Sequence, residues 1–591
     1  MALVVLALGG APDALAQAGG QAQTLTSDDV AAVLRTAAEA LADPALAVAV
    51  VDRAGTILGV YRRVGADGRT PDVAVSLART TAYFSNDQAP LSSRTVRFIS
   101  GIHFPPGIAD QPNAALYGVE NINRGCDLDD LGDAIFNSPI DRPRSLAGTF
   151  LGVPCRASDT RGCAVGGPIR GLDEEPIYSL GITTGKEDLF DTVKDPGEGY
   201  EETVNPGGVP LFRNSKLIGG VGVAGVGRDR AEFAALVAAT ANGRGITTAI
   251  NFPQPLPEPG AIFIDGLRLP FVKTTGDRPA GSSAGSFSDA DLLFAPRNGR
   301  QAPEGYTIGP RGSTVPGGLG VDEVQRIVNQ SVAQANRTRA QVRLPYGQPA
   351  SFIIAVTDQL GEILAEFRMT DALFDAVDVV PSKARNAYYF STREGYEVLR
   401  AFVEAAPYDD YSWEPAPPAG QGWALTSRTL SFGGQPLFPP GIDSFRKATP
   451  GPWFDLFVYD TLNPCTEGPG PSRGGNRSFI NQNGITWFPG SAPLFKNGQL
   501  VGGLGVSGDG VEQNDLVTAA GAVGFEPPPS LRVDNSVIRT RDGDVRLPRR
   551  LPFGEVDPGV FHGVVLMRRE GRARTSCRRT PSRDRSSRAG A

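Results

Sequence analysis

Several groups of residues in this 591-residue chain have types and spacings that could do chemistry. Gly503, Gly505 and Gly508 in GGLGVSGDGVEQND keep the G-x-G-x-x-G spacing that can cradle a pyrophosphate at a helix N-terminus, and Gly220, Gly222 and Gly225 repeat it. A dinucleotide site also needs a βαβ unit and an acid ~20 residues beyond the glycines. Here Pro527-Pro528-Pro529 and GRGITTAI stand at that distance, and a hairpin precedes each motif. The segment Gly281 to Gly285 fits G-x-S-x-G, but it lies in a stretch rich in Gly, Pro and Ser, and the chain has only 2 histidines to serve as base. Asp127, Asp129, Asp130 and Asp133 could gather around calcium, yet they lack the glycine and terminal glutamate of a hand loop and read as a solvated acidic loop.

Among the 5 cysteines, Cys126, Cys155 and Cys163 are candidates for one disulfide whose pairing stays open. No C-x-x-C pair occurs, so a structural bridge is favoured over a metal site. His103 is a weak candidate metal ligand, because the corresponding position farther along the chain is Leu437.

That correspondence belongs to a duplication. VAVVDRAGTILGVYRR from Val48 matches IAVTDQLGEILAEFRM from Ile354, and ARTTAYFS from Ala78 matches ARNAYYFS from Ala384. LSSRTVRFISGIHFPPGI from Leu91 aligns with LTSRTLSFGGQPLFPPGI from Leu425, and PGGVPLFRNSKLIGGVGVAG from Pro206 with PGSAPLFKNGQLVGGLGVSG from Pro489. The blocks keep the same order, so two copies of one domain follow each other.

The elements that position these residues can be read from periodicity. TSDDVAAVLRTAAEAL from Thr26 predicts a helix with a capping box at Thr26 and Asp29, and VDEVQRIVNQSVAQA is its counterpart. A hairpin turning at Asp52 to Gly55 or Asp358 to Gly361 comes next, then a helix ending near Phe84 or Phe390. A second hairpin turns at Asn497-Gly498, and a last helix begins near Gly510, with FAALVAATA as its counterpart. Helix, hairpin, helix, hairpin, helix predicts α+β domains, each an antiparallel sheet flanked by helices, with long loop insertions.

Strand alternation reinterprets the glycines. Ile218, Gly220, Gly222 and Ala224 share one face, as do Val501, Gly503, Gly505 and Ser507. A face this bare admits either a helix backbone or a flat ligand at close range.

The net charge of -7 and an acidic body argue against a nucleic-acid surface, although nine arginines crowd between Arg568 and Arg588. With 73 glycines and 49 prolines, much of the chain should be loop. ALVVLALGGA followed by small-x-small sites reads as a signal peptide and is too short to span a bilayer, which predicts a periplasmic or secreted protein. The expected division is residues 1–18 signal peptide, 24–275 first domain with insertion 86–205, 276–318 linker, 319–563 second domain with insertion 391–488, and 564–591 a basic disordered tail.

The V-x-D-x-x-G-x-L hairpins (Val50 to Leu58, Val356 to Leu364), the helix with Lys383-Ala384-Arg385 and the ending Gly505-Val506-Ser507-Gly508 with Glu512-Gln513 resemble the GlcG/HbpS-like haem-binding domain family. The first copy departs from it, with Leu77 where Lys383 stands and Arg230 where Gln513 stands. The resemblance implies a profilin-like fold, a tendency to oligomerise and a role in binding haem or related tetrapyrroles. Two fused copies would then form an internal pseudo-dimer. Haem wants His, Cys, Met or Tyr as axial ligand, and the folded body offers essentially His103, Met369, several tyrosines and the cysteines.

The resulting expectation is an exported protein that binds haem, a tetrapyrrole, a small anion or a partner protein without catalysis. The alternatives are an enzyme acting on haem or a small oxidised substrate, and a structural docking subunit. The expected ligand-binding residues are Lys383 and Arg385 for charge, Ser507, Gly508 and Gln513 at the helix start, and Arg94 and Arg428 as carboxylate clamps or structural salt bridges.

Overall fold

A computed structural model describes residues 24–66, 70–99, 205–240, 271–273, 277–435, 438–439, 449–457 and 485–549, with a few two-residue strands elsewhere. The expected signal peptide and basic tail, His103 and all five cysteines lie outside the described residues.

The first copy runs α1 (Ser27–Ala40), β1 (Ala47–Asp52), β2 (Ile57–Arg62), α2 (Thr70–Phe84), α3 (Ser93–Ile99), β3 (Gly208–Arg213), β4 (Lys216–Ala224) and α4 (Arg228–Ala239). The connecting segment supplies β5 (Leu292–Phe294) and β6 (Gly305–Ile308). The second copy begins α5 (Val321–Ala335), β7 (Phe352–Asp358), β8 (Ile363–Arg368) and α6 (Ala376–Ser391). Its insertion holds α7 (Arg393–Ala405), β9 (Ser412–Glu414) and α8 (Ser427–Gly433). It ends with β10 (Ser491–Lys496), β11 (Gln499–Gly508), α9 (Val511–Gly521), β12 (Val537–Thr540) and β13 (Gly543–Arg546).

Local signals place these elements as expected. Thr26 accepts from the Asp29 amide at 3.2 Å, and the Asp29 carboxylate accepts from the Thr26 amide at 2.8 Å, which closes the capping box. Asn497 and Gly498 both take left-handed φ, 52° and 75°, as a type I′ turn demands.

Two five-stranded antiparallel sheets result, in the orders β5-β2-β1-β4-β3 and β6-β8-β7-β11-β10. Val50 lies opposite Val221 and Val356 opposite Leu504, and each first hairpin carries a bulge at the same place, after Val50 and after Val356. The segment 276–318, expected as a linker, therefore also supplies the outer strand of both sheets.

Each sheet is covered on both faces. Val221 and Val223 pack with Val30, Val33 and Leu34 of α1 and Phe233 of α4, while Leu504 and Val506 pack with Ile327 and Val328 of α5 and Val517 of α9. The glycine faces receive α2 and α6. A Cβ on Gly222 or Gly220 would run into the carbonyl oxygens of Ala74 or Ala78, and one on Gly505 or Gly503 into those of Val380 or Ala384. Of the two occupants expected for the bare face it is the helix that is present, so the ligand floor is excluded: backbone fills the space where a flat ligand would lie.

The insertion 391–488 carries all four tryptophans, Trp413, Trp423, Trp453 and Trp487. They build an aromatic core with Tyr396, Phe438 and Phe457, closed by the three-stranded sheet β9-β12-β13. Among the described residues no helix is long and apolar enough to cross a membrane.

Candidate functional site

Residues that recur in both copies turn out to hold the fold. Arg385 on α6 donates from Nε to the Gly361 carbonyl at 2.7 Å, and Arg79 on α2 donates likewise to Gly55 at 2.9 Å. Each guanidinium thereby pins the left-handed glycine of its Asp-x-x-Gly turn, whose φ is 76° or 79°. Arg94 meets the buried carboxylate of Glu232 at 2.7 Å with Asp229 at 3.7 Å, and Arg428 meets Asp515 and, at 2.6 Å, Glu512. Both of these arginines are committed to internal carboxylates, which is the salt-bridge alternative for the two clamps.

Lys383 does not recur. Its Nζ is fully buried, donates to the carbonyls of Pro489 at 2.7 Å and Val506 at 2.9 Å, and lies 4.2 Å from the Phe488 ring centroid. Asn514 of α9 donates from Nδ2 to the same Pro489 carbonyl at 3.2 Å, and its buried Oδ1 has no hydrogen-bond partner among the described residues. Burial holds the Lys383 ammonium well below the ordinary lysine range, with the carboxylates of Asp375 and Asp515 pulling it back up.

Gly490 makes room for this arrangement. Its φ is 123°, and a Cβ there would stand 2.7 Å from Asn514 Cβ and 2.8 Å from Lys383 Nζ. In the first copy the corresponding glycine is Gly207, and a Cβ there would approach Ala231 Cβ at 3.2 Å and Leu77 Cδ1 at 3.3 Å. One backbone slot thus holds a lysine and an asparagine in the second copy, and a leucine and an alanine in the first.

The remaining expected residues fall around this slot. Ser507 is buried on β11 opposite Ile353, and Gly508 ends that strand opposite Phe352. Gln513, in the first turn of α9, buries an Oε1 that has no partner among the described residues. Arg94 belongs to the first copy, and Arg428, on α8, spends its guanidinium on Glu512 and Asp515 of α9, so these two stand apart from the slot.

Sequence reasoning missed Asn514, although its replacement by Ala231 between the copies was readable. It also missed a cluster of the buried Arg53, Arg343, Asp375 and Asp509 with the partly buried Asp371, for which no local pattern gives a signal. Among the described residues no group of three or more His, Cys, Asp and Glu is arranged to hold a metal.

Residues 455–523 match the family described as HbpS-like, haem degrading protein HbpS-like. The matched span lies in the second copy, which is similar to that family there. Lys383 and Pro381 lie outside the matched span, while Gly490, β11 and Asn514 lie inside it. Two solved structures are similar to part of the chain. One is the PduOC haem complex, at 16% identity over 35% of this chain and 95% of that one, with a TM-score of 0.20. The other is Klebsiella pneumoniae protein ORFY, at 16% identity over 36% and 92%, with a TM-score of 0.19. No curated protein matches the chain.

The HbpS-like description raises haem as a cofactor, and the described residues can be tested for it. They include no histidine or cysteine. Met369 packs between two apolar clusters, and Tyr83 spends its hydroxyl on the Ala54 carbonyl at 3.2 Å. Lys383 is enclosed by carbonyls. None of Met369, Tyr83 and Lys383 is therefore placed as an axial ligand.

Proposed function

We propose that the protein is an exported, noncatalytic binding protein of the HbpS-like kind, working as a fused pair in which the second copy handles the ligand. The reading is carried by one observation: the Lys383 and Asn514 slot has an apolar twin on the same backbone in the first copy, so the fold does not require its charge. The family description supports a tetrapyrrole, and with it a small carboxylate-bearing molecule, as the ligand class. Tetrapyrroles enter through their propionates, in keeping with the family description.

Titration of the purified full-length protein with haemin and with iron-free protoporphyrin tests this. With no histidine or cysteine among the described residues, the two should bind with similar affinity, and Lys383→Leu, which installs the residue of the first copy, should abolish binding while the protein stays folded. Absence of binding to either at micromolar concentration removes the tetrapyrrole reading. Unchanged binding by Lys383→Leu places the site elsewhere, and a strong preference for haemin points to an axial ligand outside the described residues. Loss of the Soret band on adding a reductant favours an enzyme, whereas a stable stoichiometric complex favours a carrier.

A further inference from the structure

The two copies grip each other around residues 371–376. Arg53, from the turn after β1, donates to the Ala82 carbonyl of its own copy and, at 3.1 Å, to the Ala372 carbonyl of the other. The Phe374 amide donates to the Tyr83 carbonyl at 3.1 Å, and the two rings lie 5.6 Å apart. The Asp87 amide donates to the Asp371 carboxylate at 3.0 Å. Arg343 donates to Asp371 at 2.7 Å, to Gln88 of the first copy at 3.2 Å and to Asp509.

Within this cluster Asp371 and Asp509 each accept from Arg343 and from a backbone amide, of Asp87 and of Ser351 respectively. Asp375 is placed differently. It precedes α6 in helical conformation, φ −53° and ψ −30°, so its side chain does not cap the helix, and its buried Oδ1 has no partner among the described residues. The charged groups acting on it are Lys383 of α6, Arg53 of the first copy and Asp509 after β11. Asp371, Asp87 and Arg343 surround Arg53 in turn.

We propose that Asp375 is a proton-controlled latch between the copies: neutral, it lets the first copy close on residues 371–376, and ionised, it loosens that contact. A carboxylate that keeps only its own backbone amide as a hydrogen-bond donor and buries one oxygen without a partner among the described residues is far costlier at an interface than the same group hydrated. Opening the contact lets water reach it. Burial, against the pull of Lys383 and Arg53, pushes the carboxyl up to about 7. A carboxyl whose closed-state value is raised above its open-state value binds its proton more tightly when closed. The closed contact is therefore fully favoured below the ordinary carboxyl range, weakens as pH rises from there, and levels off above about 7.

Hydrogen exchange on the full-length protein, corrected for the intrinsic chemical rate, tests the latch between about pH 5.5 and about pH 8.5. Protection of the segments 371–377 and 82–88 should fall by up to about tenfold per pH unit up to about 7 and level off above it, as release of one proton requires, while the centre of each sheet stays unchanged. Asp375→Asn, neutral at every pH, should flatten the profile. Protection in the parent that does not vary with pH, or an equal pH dependence in Asp375→Asn, overturns the proposal. Should Asp375→Asn not fold, infrared spectra of the parent decide: a buried carboxylic-acid carbonyl band must disappear as pH rises through neutrality, and its absence at acidic pH overturns the latch.

Discussion

Leu77 with Ala231 and Lys383 with Asn514 occupy the same slot behind a glycine, Gly207 or Gly490, and on the same helices of their copies. The apolar pair needs no partners. In the polar pair the amine takes two carbonyls and an aromatic face, and the asparagine amide shares one of those carbonyls. A buried cation costs more to desolvate than an aliphatic side chain of similar size, and hydrophobic replacement of buried charge is often neutral or stabilising. What recurs between the copies, namely the glycine faces, Arg79 with Arg385 and Arg94 with Arg428, marks what the fold demands. What fails to recur marks where the second copy has departed from that demand.

The largest expected effect breaks the recurring part. Gly222→Val or Gly505→Val drives a side chain into a helix carbonyl, and stability should drop by about 4 kcal/mol, to a similar extent in either copy, as read by urea unfolding. Arg94→Ala or Arg428→Ala strands the buried carboxylate of Glu232 or Asp515, with an expected loss of about 3 kcal/mol. Equal losses in the two copies would sharpen the division drawn here. A much smaller loss for one would break it.

The non-recurring pair should behave differently. Lys383→Leu with Asn514→Ala transplants the first slot into the second, and stability near neutral pH should change by less than about 1.5 kcal/mol or rise. Its pH dependence has a definite sign. The lysine proton is held less tightly in the folded chain than in the unfolded one. The parent therefore gains stability as pH climbs toward the ordinary lysine range, and the double variant lacks that gain. Parallel stability curves for the two proteins between about pH 7 and about pH 10 would show that Lys383 is not buried as described. The smallest effect is at the entry to the fold, where Thr26→Ala should cost about 1 kcal/mol through the lost cap.

Much of this architecture was legible because its causes are local. The capping box at Thr26, the turn at Asn497-Gly498 and the strand alternation through Gly503 and Gly505 each depend on neighbours a few residues away. The glycine faces themselves were readable, but whether helix or ligand lay against them was settled by tertiary packing. β5 and β6 were not legible, because an edge strand can be recruited by the open side of a sheet from a segment rich in glycine and proline. Arg53 gave no signal at all. Its counterpart is Gln359, and its reach to the Ala372 carbonyl spans 319 residues of sequence.

The segment between β5 and β6 changes allegiance within a few residues. The Gly299 amide donates to the Leu25 carbonyl at 2.8 Å and the Arg300 amide to Asp52 at 3.1 Å, whereas the Pro303 carbonyl accepts from Arg368 at 2.9 Å. Severing the chain between Arg300 and Pro303 would leave each fragment with a complete sheet, outer strand included. Among the described residues the two pieces would meet through Arg53, the Phe374 and Tyr83 pair, Asp87 with Asp371, and Arg343 with Gln88. Complementation of fragments divided there would turn an intramolecular association into a bimolecular one, whose strength could be measured directly as a dissociation constant.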